Sequence, residues 1–132
     1  MFKPHGSWLY TIEAPVIYIK VSGCFNREGV LDFVKEVQAD LSALPAQSVR
    51  QAVINLAEFE LVTADSLTVA KEYFHGVKAR GYEQVDYISP SVIAKSMLES
   101  IWRGSDMSVH FYSTAQNYIE CYPERGYVKN WL

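Results

Sequence analysis

The chain predicts an α/β domain built on a mostly parallel mixed sheet of about five strands, with an antiparallel strand at its start and about four helices. Three observations carry this. Short apolar runs alternate with stripes of apolar residues at three-and-four spacing, in the order β-β-α-β-α-β-α-β-α. Repeated helical crossovers between short apolar strands imply parallel neighbours, because antiparallel neighbours need only a tight turn. The 132 residues, 49% hydrophobic and 20% charged, suit one core and are too few for two, so residues 1–132 are read as a single domain.

Trp8 to Ile12 alternates and is rich in β formers, and Val16 to Val21 is a denser apolar run. Glu13-Ala14-Pro15 between them makes a short antiparallel connection, with Pro15 at the turn because it has no amide hydrogen for a ladder. Asn26 opens a helix whose residues Val30, Phe33, Val34, Val37, Leu41 and Leu44 share one face, and Pro45 marks its end. Gln51 to Leu56 reads as a buried strand, followed by a loop as far as Asp65. A second helical stripe, Leu67, Ala70, Phe74 and Val77, stops before Gly81, a natural C-cap. Phe74 is expected to face the core and His75 the edge. Val85 to Ile88 is the next strand. Ser89-Pro90 supplies an N-cap and a first-turn proline for a helix carrying Ile93, Met97 and Ile101, which stops near Gly104. Ser108 to Tyr112 is the last strand, and Thr114 to about Tyr122 the last helix.

Composition narrows the function. A net charge of −3 with scattered Lys and Arg argues against nucleic-acid binding. No stretch approaches the roughly 20 apolar residues that span a bilayer, and the first residues, Met1 to Gly6, lack an apolar signal core. A cytoplasmic location is expected. Cys24 and Cys121 then read as free thiols that fill small apolar spaces. His5, His75 and His110 are too scattered for a metal site. Phosphate-cradling, dinucleotide and nucleophile-elbow motifs are absent, and Glu58 and Glu60 read as solvated loop carboxylates. No catalytic residue, metal or cofactor is therefore expected, and an unrecognised enzyme ranks third among the readings.

Val53-Ile54-Asn55-Leu56, then Phe59, then Asp65-Ser66-Leu67 is similar to the signature of STAS domains, the family of the sporulation anti-sigma-factor antagonists. In that family a strand ending in Asp-Leu or Asn-Leu is followed by Asp-Ser at a helix start, within a β-hairpin and alternating helices and strands. The resemblance implies a non-enzymatic protein-binding or regulatory module, with Ser66 as phosphoacceptor and Asp65, Thr63 and Asn55 beside it. This chain has Leu67 and Thr68 where that motif continues with Ser or Thr and then Gly. Ala57-Glu58-Phe59-Glu60 and the closing Val109-His110-Phe111 resemble a looser, SpoIIAA-like branch in which the serine has no set role. Read from the residues alone, Thr63 or Asp65 is an N-cap, and Ser66 merely sits in the first turn.

Two further surfaces stand out. The looser branch is similar in fold to lipid-transfer domains of the CRAL-TRIO type, which implies a carrier or sensor of a small apolar ligand as the alternative function. The candidate lid is the helix from Ser91 to Arg103, with Met97, Leu98, Ile101 and Trp102. The closing segment from Gly126, with Tyr127 and Trp131, is expected to dock on its own domain or on a second copy, so the partner is another protein or the chain itself.

Overall fold

The computed structural model describes residues 3–132, apart from the side chains of Val77 and Lys78. Val77, placed above on the second helical stripe, thus has a side chain outside the described residues. The sheet runs in sequential order: β1 (Ser7–Glu13), β2 (Val16–Phe25), β3 (Gln51–Val62), β4 (Gln84–Ile88) and β5 (Ser108–Tyr112). β1 is antiparallel to β2, and the other three pairings are parallel. The helices are α1 (Arg27–Ser42), α2 (Ala64–Val77), α3 (Val92–Trp102) and α4 (Ala115–Cys121), followed by a 3-10 segment, Gly126–Trp131. The expected mixed sheet, with its antiparallel first strand, is the one found.

A sheet that grows in one direction through right-handed crossovers places every crossover helix on the same face. α1, α2 and α3 accordingly share a core with Ile17, Ile19, Ala52, Val85 and Tyr87, which pack with Val37, Leu98, Ile101 and Trp102. Alternate residues point the other way. Val16, Tyr18, Val53 and Ile88 form a second cluster with Ala115, Tyr118 and Val128 from α4 and the 3-10 segment. Tyr127 packs its ring 4.9 Å from that of Tyr18, and Trp131 lies 6.3 Å from the same ring. The C-terminal aromatics therefore dock on their own domain.

Several boundaries differ from expectation for identifiable reasons. β3 does not end at Leu56 but continues to Val62, so Ala57 to Glu60 is strand and not loop. β2 extends with it to Phe25, taking Cys24 into the strand, and the two form a ribbon beyond the rest of the sheet. Two register shifts, with Gly23 at φ +78°, accommodate the extension, which leaves little trace in hydrophobic periodicity. α1 closes at Ser42, leaving Leu44 outside it and exposed. The α3 cap is Ser91, which accepts from Ala94 N at 3.0 Å, and Pro90 precedes the helix. The buried row of α3 is Ala94, Leu98, Ile101 and Trp102, while Ile93 is 65% exposed. Ala94, small beside Ile93 and Met97, leaves little trace of this phase in the sequence. Cys24 and Cys121 are free, as expected, but both are exposed and fill no core. Among the described residues no helix is long and apolar enough to cross a membrane.

Tyrosines do much of the packing in both clusters. Tyr87 is buried at 1% exposure, accepts from Trp102 Nε1 at 3.0 Å and stacks on Phe111. Burial pushes the phenols of Tyr73, Tyr82, Tyr87 and Tyr118 above the ordinary 10.0. A raised folded-state value means the unfolded chain ionises first, so stability is intact below pH 10 and falls as pH rises above it. The thermal midpoint is expected to hold up to about pH 10 and then drop, with tyrosinate ultraviolet absorbance rising in step with unfolding. Non-cooperative tyrosine titration in the folded protein would contradict this.

Candidate functional site

The Asp65-Ser66 motif opens α2. Thr63 holds the cap position through its carbonyl, which accepts from Leu67 N at 3.1 Å, and its hydroxyl donates to Asp65 Oδ1 at 2.5 Å. Asp65 also accepts from Ser66 N at 2.9 Å, so it belongs to the first turn and is not the cap. The hydrogen bond from Thr63 holds this exposed carboxyl below the usual range. Ser66 has no exposed surface, and its hydroxyl faces the carbonyls of Thr63 at 2.7 Å and Phe25 at 3.3 Å. Asn55 stands apart, buried on β3, with Oδ1 accepting from Ala57 N at 2.9 Å. Thr63, Asp65 and Ser66 thus form one cluster, and Asn55 belongs to another.

Between the sheet and its three crossover helices lies an apolar cavity of about 110 Å³. The sheet contributes Ile19, Val21, Ile54, Phe59 and Tyr87 to its wall; α1 contributes Val30, Phe33 and Val34; α2 contributes Leu67, Ala70, Tyr73 and Phe74. α3 adds Met97, Leu98 and Ile101, three of the residues picked out as an apolar ligand surface. No polar atom lines the space. Trp102, the fourth, lines an adjoining chamber of about 50 Å³ that shares Ile19, Phe33, Ile54, Tyr73, Phe74 and Tyr87 with the first. Tyr127 and Trp131 lie on the opposite face and do not reach either chamber. The cover is shared by three helices and is not α3 alone, and Ala70 is the smallest side chain in the wall.

The opposite face carries a polar cluster that sequence reasoning missed. Asp86, on the interior strand β4, has no exposed surface, and its carboxylate accepts from Tyr118 Oη at 2.8 Å and from Arg125 Nη1 at 3.2 Å. Gln84 Nε2 lies 2.9 Å from both of its oxygens. Arg125, with a side chain 10% exposed, also donates to Tyr118 Oη and Gln51 Oε1, and it lies 4.4 Å over the Tyr122 ring. The available signal was a carboxylate inside the apolar run Val85 to Ile88, which demands a cation from elsewhere in the chain. Other candidates are plainer. Glu58 is paired with Lys20 at 3.1 Å, and Ser108 Oγ lies 2.9 Å from His110 Nε2 on the exposed edge strand. Asp86, the register partner of His110, is taken up by Tyr118, Arg125 and Gln84. Among the described residues no group of three His, Cys, Asp or Glu side chains could hold a metal ion.

No family model matches this chain, and no curated protein matches it. Among solved structures, it is similar to the crystal structure of an uncharacterised DUF3478-family protein with a SpoIIAA-like fold from Shewanella loihica PV-4. The two share 12% sequence identity with a TM-score of 0.63, over 92% of this chain and 98% of that one. At this identity the likeness shows the fold alone: the chain has a SpoIIAA-like α/β fold.

Removing Asp86 strands a buried guanidinium. Asp86→Ala is expected to cost about 3–5 kcal/mol in urea unfolding, because an uncompensated buried charge costs more than the pair contributes. Asp86→Ala combined with Arg125→Met is expected to cost clearly less than the sum of the two single changes. Additive costs would remove Asp86–Arg125 as the tie between β4 and the C-terminal segment.

Proposed function

We propose that this SpoIIAA-like domain is a binding module for a small apolar molecule held in the cavity between the sheet and α1, α2 and α3. The observation that carries the reading is a recess between the sheet and three helices with an entirely apolar wall. Its size sets the class of occupant. Sites for drug-sized ligands run from about 300 Å³ upward, whereas an engineered apolar cavity of about 150 Å³ takes benzene or xenon. The occupant is of single-ring size and is not a long acyl chain. A hydroxyl on it would find no partner in the wall.

In this reading Ser66 serves the fold. A hydroxyl turned onto two backbone carbonyls satisfies a buried polar group at the start of α2 and presents nothing to a modifying enzyme. The chain acts by binding and not by chemistry.

Benzene titrated into the protein is expected to move the methyl resonances of Ile19, Ile54, Leu67 and Met97 saturably. Phenol should bind at least about tenfold more weakly, since its hydroxyl would be buried unpaired. Ala70→Leu should fill the space, raise the thermal midpoint and abolish the benzene response. Unmoved methyls at saturating benzene would overturn the reading.

A second reading, docking of a protein partner at the carboxyl edge of the sheet, is favoured by Val92 and Ile93. These adjacent residues at the start of α3 are 86% and 65% exposed. Val92→Ser with Ile93→Ser should leave the fold and the benzene response intact and abolish capture of a specific partner. Equal capture by wild type and the double variant would count against this docking edge.

A further inference from the structure

We propose that β1 is a self-association strand, through which two copies of the chain pair antiparallel about a two-fold axis centred on Leu9. β1 forms one edge of the sheet and holds an unbroken seven-residue register with β2. Its outer row of backbone groups is thus presented straight, without the bulge that twists many edges out of use. The other devices that protect an edge, an internal lysine or proline, are also missing from Ser7–Glu13. In the middle stands Leu9, 73% exposed.

The strand itself argues for a second copy as the occupant. Ser7-Trp8-Leu9-Tyr10-Thr11 reads nearly the same in both directions by residue type. Antiparallel pairing centred on Leu9 sets Ser7 opposite the partner's Thr11, Trp8 opposite the partner's Tyr10, and Leu9 opposite the partner's Leu9. Hydroxyl then meets hydroxyl, ring meets ring and aliphatic meets aliphatic, the cross-strand pairs that stabilise antiparallel neighbours. Continued outward, Glu13 falls opposite the partner's His5, so no like charges face each other. A copy shifted by one residue would lose every one of these matches, because side chains alternate between faces.

The aromatic pair is ordered in advance. Trp8 Nε1 donates to Glu36 and Tyr10 Oη to Asp40, both on α1, so pairing immobilises little that is not already held. The opposite edge, β5, is only five residues long and carries Ser108 and His110 on one face. It has no comparable symmetry.

Sedimentation velocity of the wild-type chain, from micromolar to several hundred micromolar, is expected to show a monomer converting to a dimer. Leu9→Lys places a charge at the exposed centre of the edge and should weaken association at least about tenfold, with the circular dichroism spectrum unchanged. Hydrogen exchange of the wild-type protein gives a second measurement that needs no variant. Protection of the β1 amides should rise with protein concentration, while that of β5 should not. A wild-type chain that stays monomeric throughout, a dimer that survives Leu9→Lys, or concentration-dependent protection confined to other elements would each overturn the proposal.

Discussion

The handedness of the crossovers is the constraint on which the rest of this molecule depends. Because β2, β3, β4 and β5 follow one another across the sheet, right-handed connections leave α1, α2 and α3 no choice of face. The other face would expose Val16, Tyr18, Val53 and Ile88 to water. Among the described residues, α4 and the 3-10 segment after β5 cover it. α4 has seven residues and the 3-10 segment six. Neither is long enough to be a stable helix alone, so their order must come from what they pack against.

Asp86 answers that need. A carboxylate on an interior strand needs a partner in an apolar layer, and the one it takes comes from the C-terminal segment. Apolar contact alone would let a short segment settle in several registers on Tyr18 and Val53. An arginine that must meet Asp86, Tyr118 and Gln51 together admits one. The Tyr18, Tyr127 and Trp131 rings then close over the remaining apolar surface.

Much of this architecture was legible in the sequence, because element order is written in local periodicity. The strand-helix alternation, the N-terminal antiparallel strand and the apolar character of Met97, Leu98 and Ile101 could all be read from spacing. What could not be read depends on distant parts of the chain. The ribbon from Ala57 to Val62 is strand because β2 is beside it, not because of its own pattern. Ser66 resembled an accessible helix-start serine, and its burial becomes visible only when the Phe25 carbonyl, 41 residues earlier, is placed above it. Asp86 and Arg125 stand 39 positions apart, and each alone looks like an ordinary charge. The cavity is a volume and not a residue. Ala70 falls on the inward stripe that its spacing predicts, but nothing local says that its neighbours fail to fill the space beside it.

The two faces therefore have opposite tolerances, and this bears on where the domain can bind. On the α4 face, polar geometry fixes each group, and a guest would have to break charge-assisted hydrogen bonds. On the three-helix face the cavity contacts are dispersive and non-directional, so a guest of the proposed kind would displace no hydrogen bond. Phe74 stacks on Trp102 and Tyr87 on Phe111, so two of the wall's rings are each fixed by a second ring. A fold that locks one face with a buried ion pair can leave the other incompletely filled and still remain folded. Under the proposed binding role, the apolar face is the one that would take the ligand.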